Sequence, residues 1–446
     1  MTYVQNTEQN QADMLAAIGM ASTDELWKVI PEDCLFDGSL DVGPALTEDS
    51  LVRHMREIAK RNVTADDMPS FLGAGAYRHF CPALVDNLVS RTEFWTAYTP
   101  YQPEASQGTL TTIYEFQTLM CRITGMEVSN ASVYDGATAV IEGVMLALRA
   151  KRKAKRVLVS KGLHPDTLAV LHTYLKHLDI DVVEVDLVDG ATPTEAISGD
   201  AVAAVAFQSP NFYGVLEDVT ALSAAAHELE ALSVVSVDPI SLSVIEAPGK
   251  QGADVVCGEG TPMGNEPWYG GPGFGFLCSK MDMVRQMPAR IAGETTDDDG
   301  NRAVVLTFQT REQHIRRKKA TSNICTSQQL MALRATIWAS LLGKQGFADL
   351  GKTNLSRAHY AAKRLAELPG WSLTYPERSF FKEFCVTTPL PAAELNDRLL
   401  KEHGILGGFD LGRLDEKRKN DWLVSVTDLV TREDIDRLVD ALQGMA

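Results

Sequence analysis

The chain has 446 residues, 45% of them hydrophobic and 23% charged, with 42 basic against 59 acidic side chains and a formal net charge of −17. That apolar content excludes a disordered chain, and the length suits two or three domains or one large α/β domain with an appendage. The acidic excess argues against non-specific binding to nucleic acid or anionic membrane, because its field repels phosphate; a small-molecule or protein partner fits better.

In chain order, Met1–Asp13 is polar and lacks the charged-then-apolar profile of a signal peptide. Residues 12–62 read as helices broken by Pro31 and Pro44, with starts at Thr23 and Thr47, which predicts an N-terminal helical arm over 1–62. Two loop-rich segments follow: Phe71-Leu-Gly-Ala-Gly-Ala-Tyr77 and Tyr98-Thr-Pro-Tyr-Gln-Pro-Glu104. In the second, Tyr98, Tyr101, Gln102, Glu104 and Gln107 crowd together around two stiffening prolines. Tyrosine and glutamate can serve as acid, base or orienting donor, although any single tyrosine there also reads as a packing group.

From about 129 to 280 short apolar runs alternate with helical stretches. Candidate strands are Val157–Ser160, Val182–Val185, Val202–Gln208, Val234–Val237, Val255–Cys257 and Gly273–Cys278, with helices such as Ala139–Arg149 and Leu222–Leu229 between them. That alternation predicts a largely parallel sheet covered on both faces, with ligands beyond the carboxyl ends of the strands. The large domain is expected over 63–325. An acid-rich loop at Thr295–Asn301, the basic run Arg316-Arg-Lys-Lys319 and a periodic helix at Ser327–Leu342 come next. Strands at Leu373–Tyr375, Glu383–Val386 and Leu423–Thr427, with helices near 391–402 and 431–443, predict a small α+β domain over 326–446.

Several segments carry chemistry. Asn130-Ala-Ser-Val-Tyr-Asp-Gly-Ala-Thr-Ala139 runs into a helix, so Ser132, Asp135, Gly136 and Thr138 form a candidate phosphate seat; taken alone, Asp135 or Thr138 reads more simply as a plain helix cap. Asp238 ends an apolar strand, where a carboxylate can hold a protonated pyridine nitrogen or simply make a turn before Pro239. His79 and His164 could each face a cofactor ring or be satisfied structural histidines. The anchoring lysine that pyridoxal 5'-phosphate (PLP) requires is missing from the Gly-rich loop Gly258–Gly275; Lys250, Lys161 and Lys280 are the alternatives, none well placed. Arg316–Lys319 offers an anion patch or a solvated charge run. No H-x-x-x-H or carboxylate box points to metal. Seven scattered cysteines without a C-x-x-C predict no disulfide framework and a reducing, cytoplasmic setting.

Together, Phe71–Tyr77, Glu93-Phe-Trp-Thr-Ala-Tyr-Thr-Pro-Tyr-Gln-Pro-Glu-Ala-Ser-Gln-Gly108, Asn130–Ala139, Val237-Asp-Pro239 and Lys319-Ala-Thr-Ser-Asn-Ile-Cys-Thr-Ser-Gln328 resemble the glycine decarboxylase P-protein of the glycine cleavage system, in particular subunit 1 of its two-chain form. The resemblance implies an α/β fold of the PLP-dependent transferase type (fold type I, aspartate aminotransferase-like), a mainly parallel sheet, and a smaller α+β domain. It implies glycine decarboxylation with release of CO2 and transfer of the aminomethyl group to the lipoyl arm of the H-protein. PLP is then expected on the lysine of subunit 2 in an α2β2 heterotetramer, with the pocket of this chain degenerate around Ser132, Asp135, Gly136, Thr138, His164 and Asp238. Tyr98, Tyr101, Gln102, Glu104 and Gln107 are expected to reach across the interface into the partner's site. The competing expectations are a purely structural or docking subunit, and an autonomous PLP decarboxylase or lyase. Asn265-Glu-Pro-Trp-Tyr269 and Arg78-His-Phe80 depart from the family pattern at the rim of the site.

Overall fold

The computed structural model describes residues 5–36, 38–95 and 97–445. The chain divides into two compact units, with the boundary between Val63 and Thr64. The first contains α1 (Glu8–Ala17), whose N-terminus is closed by reciprocal bonds between Thr7 and Asn10, and α2 (Glu48–Ala59), capped by Thr47. Thr23 opens a 3-10 helix, Thr23–Val29, where the sequence suggested an α-helix; Ser22 at its cap makes no side-chain bond to hold a longer start.

The second unit is built on a seven-stranded sheet of β1 (Val128–Ser129), β2 (Arg156–Ser160), β3 (Asp181–Val185), β4 (Val202–Gln208), β5 (Leu232–Ser236), β6 (Val255–Glu259) and β7 (Gly275–Ser279), in the order β1-β7-β6-β5-β4-β2-β3. The run from β6 to β3 is parallel, while β7 is antiparallel to both of its neighbours. Helices α3 (Ala83–Val89) and α4 (Gln107–Thr124) precede the first strand, and α5 (Gly136–Ala150), α6 (Pro165–Leu175) and α7 (Val219–Glu228) lie between strands.

Strand periodicity explains the layers. Leu158, Val205, Phe207, Val235 and Val256 share one core with Phe116 and Met120 of α4 and Leu222 and Ala226 of α7. Their neighbours Val157, Val159, Ala204, Ala206, Val234 and Val255 point the other way, into a core with Ala139, Ile141 and Val144 of α5 and Leu171 of α6. Both faces of the inner strands are therefore dry, which is why those strands read as apolar runs, whereas the edge strand β3 is mostly exposed.

Beyond the sheet, Thr295 and Thr296 belong to a hairpin, β8 (Ile291–Thr296) and β9 (Arg302–Thr307), in place of the loop expected at Thr295–Asn301; only its tip is a turn. A single turn, α8 (Gln313–Arg316), precedes the long helix α9 (Gln329–Ala366). Gly343 breaks α9 at φ +60, a left-handed conformation that glycine adopts without strain. A second, antiparallel sheet of β10 (Ser372–Leu373), β11 (Glu383–Thr387), β12 (Phe409–Asp410) and β13 (Asp421–Ser425) runs β10-β11-β13-β12. Its core includes Phe384, Val386, Trp422 and Val424, and Ala358, Ala361 and Leu365 from α9. Leu399 and Leu438, from the segments containing α10 (Ala392–Arg398) and α11 (Arg432–Gln443), join the same core.

Candidate functional site

The carboxyl ends of β4, β5 and β6 meet the N-termini of α5 and α6 around a cleft of about 240 Å³, lined by Asp135, Gly136, His164, Gln208, Asp238, Glu259, Tyr77, Lys382 and Glu383 among others. Ligands of open parallel sheets bind at such a place. Four residues expected here, Asp135, Gly136, His164 and Asp238, do line the cleft.

Donors at the start of α5 are taken by side chains of the same polypeptide. Asp135 caps it, its Oδ1 accepting the Thr138 N–H at 2.7 Å. The next free donor, the Gly136 N–H, gives its hydrogen bond to Glu259 Oε2 at 2.8 Å. Glu259 Oε1 accepts from the Thr261 N–H at 3.0 Å, the Phe274 N–H at 3.3 Å and the Thr261 hydroxyl. A Cβ at Gly136 would stand 2.8 Å from the Glu259 backbone nitrogen, so glycine is what permits this approach. Burial pushes the Glu259 carboxyl above the usual range, against the pull of the Thr261 and Gly136 hydrogen bonds.

At the other end, Lys382 Nζ lies 2.8 Å from Asp238 Oδ2 and 2.9 Å from His79 Nε2, and 3.8 Å above the Tyr77 ring. The lysine is buried, with 2% of its surface exposed. An ammonium only donates, so His79 Nε2 accepts, its Nδ1 carries the proton, and that N–H donates to Asp428 Oδ1 at 2.5 Å. Burial and the Lys382 charge hold His79 below its ordinary range, so the imidazole is neutral. Burial alone would raise Asp428, but the hydrogen bonds from His79 and the Phe80 N–H outweigh it and lower the carboxyl.

Glu383, beside Lys382, accepts from the Tyr77 hydroxyl at 2.6 Å and from the Ala74 N–H at 2.7 Å. Burial pushes it up to about 7 despite those bonds. Tyr77 is raised well above its ordinary value, first by burial and then by the Glu383 and Asp238 charges. His164, at the N-cap of α6, donates through Nε2 to the Ala74 carbonyl at 2.9 Å and accepts the Asp166 N–H at Nδ1, 3.1 Å away. Its ring stands edge-on to Phe212.

The other expected residues lie elsewhere. Ser132 is buried, and its hydroxyl oxygen accepts the Gln328 N–H at 3.0 Å; Thr138 is buried within α5. Neither is among the residues lining the cleft. Lys250, Lys161 and Lys280 pair with Glu246, Asp186 and Asp254. Tyr98 is 82% exposed, and Gln102 and Glu104 are exposed beside it. Thr96 of the same motif falls outside the described residues. Gln107 is the first residue of α4, not part of the loop, and its side-chain amide pairs with the backbone of β9: Nε2 to the Val304 carbonyl and the Val304 N–H to Oε1, both at 2.9 Å.

Tyr101 joins this loop to the segment after the hairpin. Its ring packs edge-on against His314 with centroids 5.3 Å apart, and Arg290 donates to its hydroxyl at 3.3 Å and to the Cys325 carbonyl at 2.7 Å. Arg316, Arg317, Lys318 and Lys319 are exposed immediately beyond His314.

Lys382, Glu383 and Glu259 were not anticipated. Their one visible signal is a charged pair inside the apolar stretch Phe380-Phe-Lys-Glu-Phe-Cys-Val386, and a carboxylate between Gly258 and Gly260. Among the described residues no cluster of three or more His, Cys, Asp or Glu is arranged to hold a metal ion, and no helix is long and apolar enough to cross a membrane.

Residues 1–442 match the family model described as Glycine cleavage system P-protein. A curated relative from Bacillus cytotoxicus, named "Probable glycine dehydrogenase (decarboxylating) subunit 1", is 46% identical over 443 residues, covering 99% of this chain and 98% of its own. A solved structure titled "Crystal structure of glycine decarboxylase (P-protein) of the glycine cleavage system, in inhibitor-bound form" superimposes with a TM-score of 0.90 at 40% identity, covering 100% of both chains. The sphingosine-1-phosphate lyase of Burkholderia pseudomallei shares the fold, with a TM-score of 0.64 at 15% identity over 91% of this chain and 93% of that one.

Proposed function

The chain belongs to the glycine cleavage system P-protein family, with the fold of type I PLP enzymes, and from that premise we propose that it completes an active site whose cofactor is held by a partner subunit. Its activity is that of a glycine dehydrogenase (decarboxylating) component acting in the glycine cleavage system.

The residues of its own cleft do not fit PLP. The only lysine lining the cleft among the described residues is Lys382, and its Nζ is committed to Asp238 and His79. The nucleophile needed for an imine is thereby bound into an ion pair. Domain limits of 63–325 and 326–446 remain part of this proposal, as does the cytoplasmic setting.

The single observation that carries the reading is the surface around Tyr101. Two of the motifs that mark the family, the 93–108 loop and the 319–328 segment, have no part in the chain's own cleft, yet Arg290 ties Tyr101 to Cys325. Tyr98, Gln102 and Glu104 are exposed in the same loop, with hydrogen-bonding groups presented outward. In an α2β2 assembly with subunit 2, these groups would orient glycine and hold or release a proton at the partner's site. Gln107 would serve by fixing the root of the loop to β9. The exposed Arg316–Lys319 run, in a chain of net charge −17, would receive the lipoyl-bearing H-protein.

The test is glycine–CO2 exchange by the complex reconstituted with Tyr98→Phe and Tyr101→Phe. A fall in exchange with assembly intact supports site completion. Unchanged exchange leaves this chain a docking subunit only.

A further inference from the structure

The cleft carries two anchor points suited to a phosphorylated pyridine: the start of α5 for a phosphate and Asp238 for a protonated ring nitrogen. Each is occupied by a side chain of matching charge from this same polypeptide. We propose that the cleft is a self-filled cofactor site, in which the Glu259 carboxylate replaces a phosphate at the α5 N-terminus and the Lys382 ammonium replaces a pyridinium on Asp238. The inference rests on the reading that a partner subunit anchors PLP, and explains how this subunit avoids competing for it.

The chemistry of the two ends is complementary. A phosphate at a helix start needs backbone N–H groups and a hydroxyl; Glu259 takes the Gly136, Thr261 and Phe274 N–H groups and the Thr261 hydroxyl. A pyridinium offers one N–H to a carboxylate; Lys382 offers the same at 2.8 Å. Both substitutes are covalently part of the chain, so they act at an effective concentration that no dilute ligand matches. The lining also places Asp135, Asp166, Glu259 and Asp238 around a single lysine, a field that repels a phosphate ester. The remaining volume of about 240 Å³ is below the roughly 300–1,000 Å³ usual for ligand pockets.

The Lys382–Asp238 pair also joins the two sheets. Lys382 immediately precedes β11 of the small sheet, and Asp238 lies two residues beyond β5 of the large one.

The experiment measures binding of pyridoxamine 5'-phosphate, which forms no imine with a lysine amine, to the full chain and to the variants Glu259→Ala, Lys382→Ala and the double variant. Equilibrium dialysis gives affinity, and circular dichroism checks folding. The expected result is no saturable binding to the unsubstituted chain up to the highest ligand concentration used, and saturable binding to the double variant with a dissociation constant at least about tenfold below that concentration, as one recovered charge-assisted hydrogen bond would give. Inorganic phosphate should compete with this binding, and pyridoxamine lacking the phosphate should bind more weakly. If the double variant fails to fold, Glu259→Ala alone carries the test: phosphate should raise its melting temperature relative to chloride at equal ionic strength, and not that of the unsubstituted chain. A folded double variant that binds no better, or a Glu259→Ala variant indifferent to phosphate, overturns the proposal. Borohydride-fixed PLP on a lysine of the unsubstituted chain would instead overturn the reading on which it rests, a separate outcome by mass spectrometry.

Discussion

The Lys382 ammonium sits 2.8 Å from the Asp238 carboxylate, buried on one side by the Tyr77 ring and on the other by neutral His79. Removing one member of such a pair strands the other charge, and the cost is usually about 3–5 kcal/mol, whereas removing both costs much less. Lys382→Met should therefore lower the denaturant midpoint of the chain strongly, and Lys382→Met with Asp238→Asn should recover most of the loss. Equal destabilisation by the single and double variants in urea titration would show that the pair is not coupled.

Glu383 governs a second prediction. Its folded value of about 7 lies above the ordinary 4.5, so the fold favours the protonated carboxyl. The associated stability is complete below about pH 4.5 and is lost as pH rises through about 7. His79 works in the opposite sense, since its lowered value costs stability on acidification. The contribution of Glu383 is isolated by difference: in Glu383→Gln, melting temperature should fall less between pH 5 and pH 8 than in the unsubstituted chain. Parallel profiles would contradict the assignment.

Gln107 reproduces half of a β-ladder with its side chain, pairing both polar groups of Val304. Gln107→Ala leaves a part-buried N–H and carbonyl without their partners, at a cost of about 1–3 kcal/mol. Its melting temperature should drop, and glycine–CO2 exchange per assembled complex should change less than in the tyrosine variants. A large loss of exchange with stability intact would move Gln107 from a positioning to a direct part.

Tyr98 and Tyr101 behave differently in this account. Tyr98 is 82% exposed in the chain by itself, so Tyr98→Phe should leave its melting temperature within about 0.5 kcal/mol equivalent. In the complex, loss of a general acid–base or orienting hydroxyl is worth about 10²–10⁴ in rate. Exchange measured at saturating glycine should fall toward that range for the double Tyr98→Phe, Tyr101→Phe variant, with the subunits still co-eluting.

Much of the large sheet was legible because its inner strands are buried on both faces, so apolar runs such as Val202–Gln208 have one interpretation. The hairpin β8–β9 was hidden because its outer residues are polar and exposed, and α4 because Gln107 read as part of a proline-stiffened loop. The cleft was half visible. Asp135, Gly136, His164 and Asp238 stand at element ends, where local pattern reveals them. Glu259 meets Gly136 across 123 positions, and Lys382 meets His79 across 303, distances at which one sequence carries no pairing information. The sequence offered two candidate anchors, each also readable as a cap or a turn; folding brings this chain's own charges to them.

In the proposed assembly this chain completes the active site without holding the cofactor itself. The direct measurement is borohydride reduction in the presence of PLP, followed by peptide mapping, on the purified chain alone and on the complex with its partner subunit. No cofactor is expected at a lysine of this chain in either sample, and a single fixed site is expected on the partner's peptide in the complex. Stoichiometric PLP on a lysine of this chain, with visible absorbance of the chain alone, would contradict it.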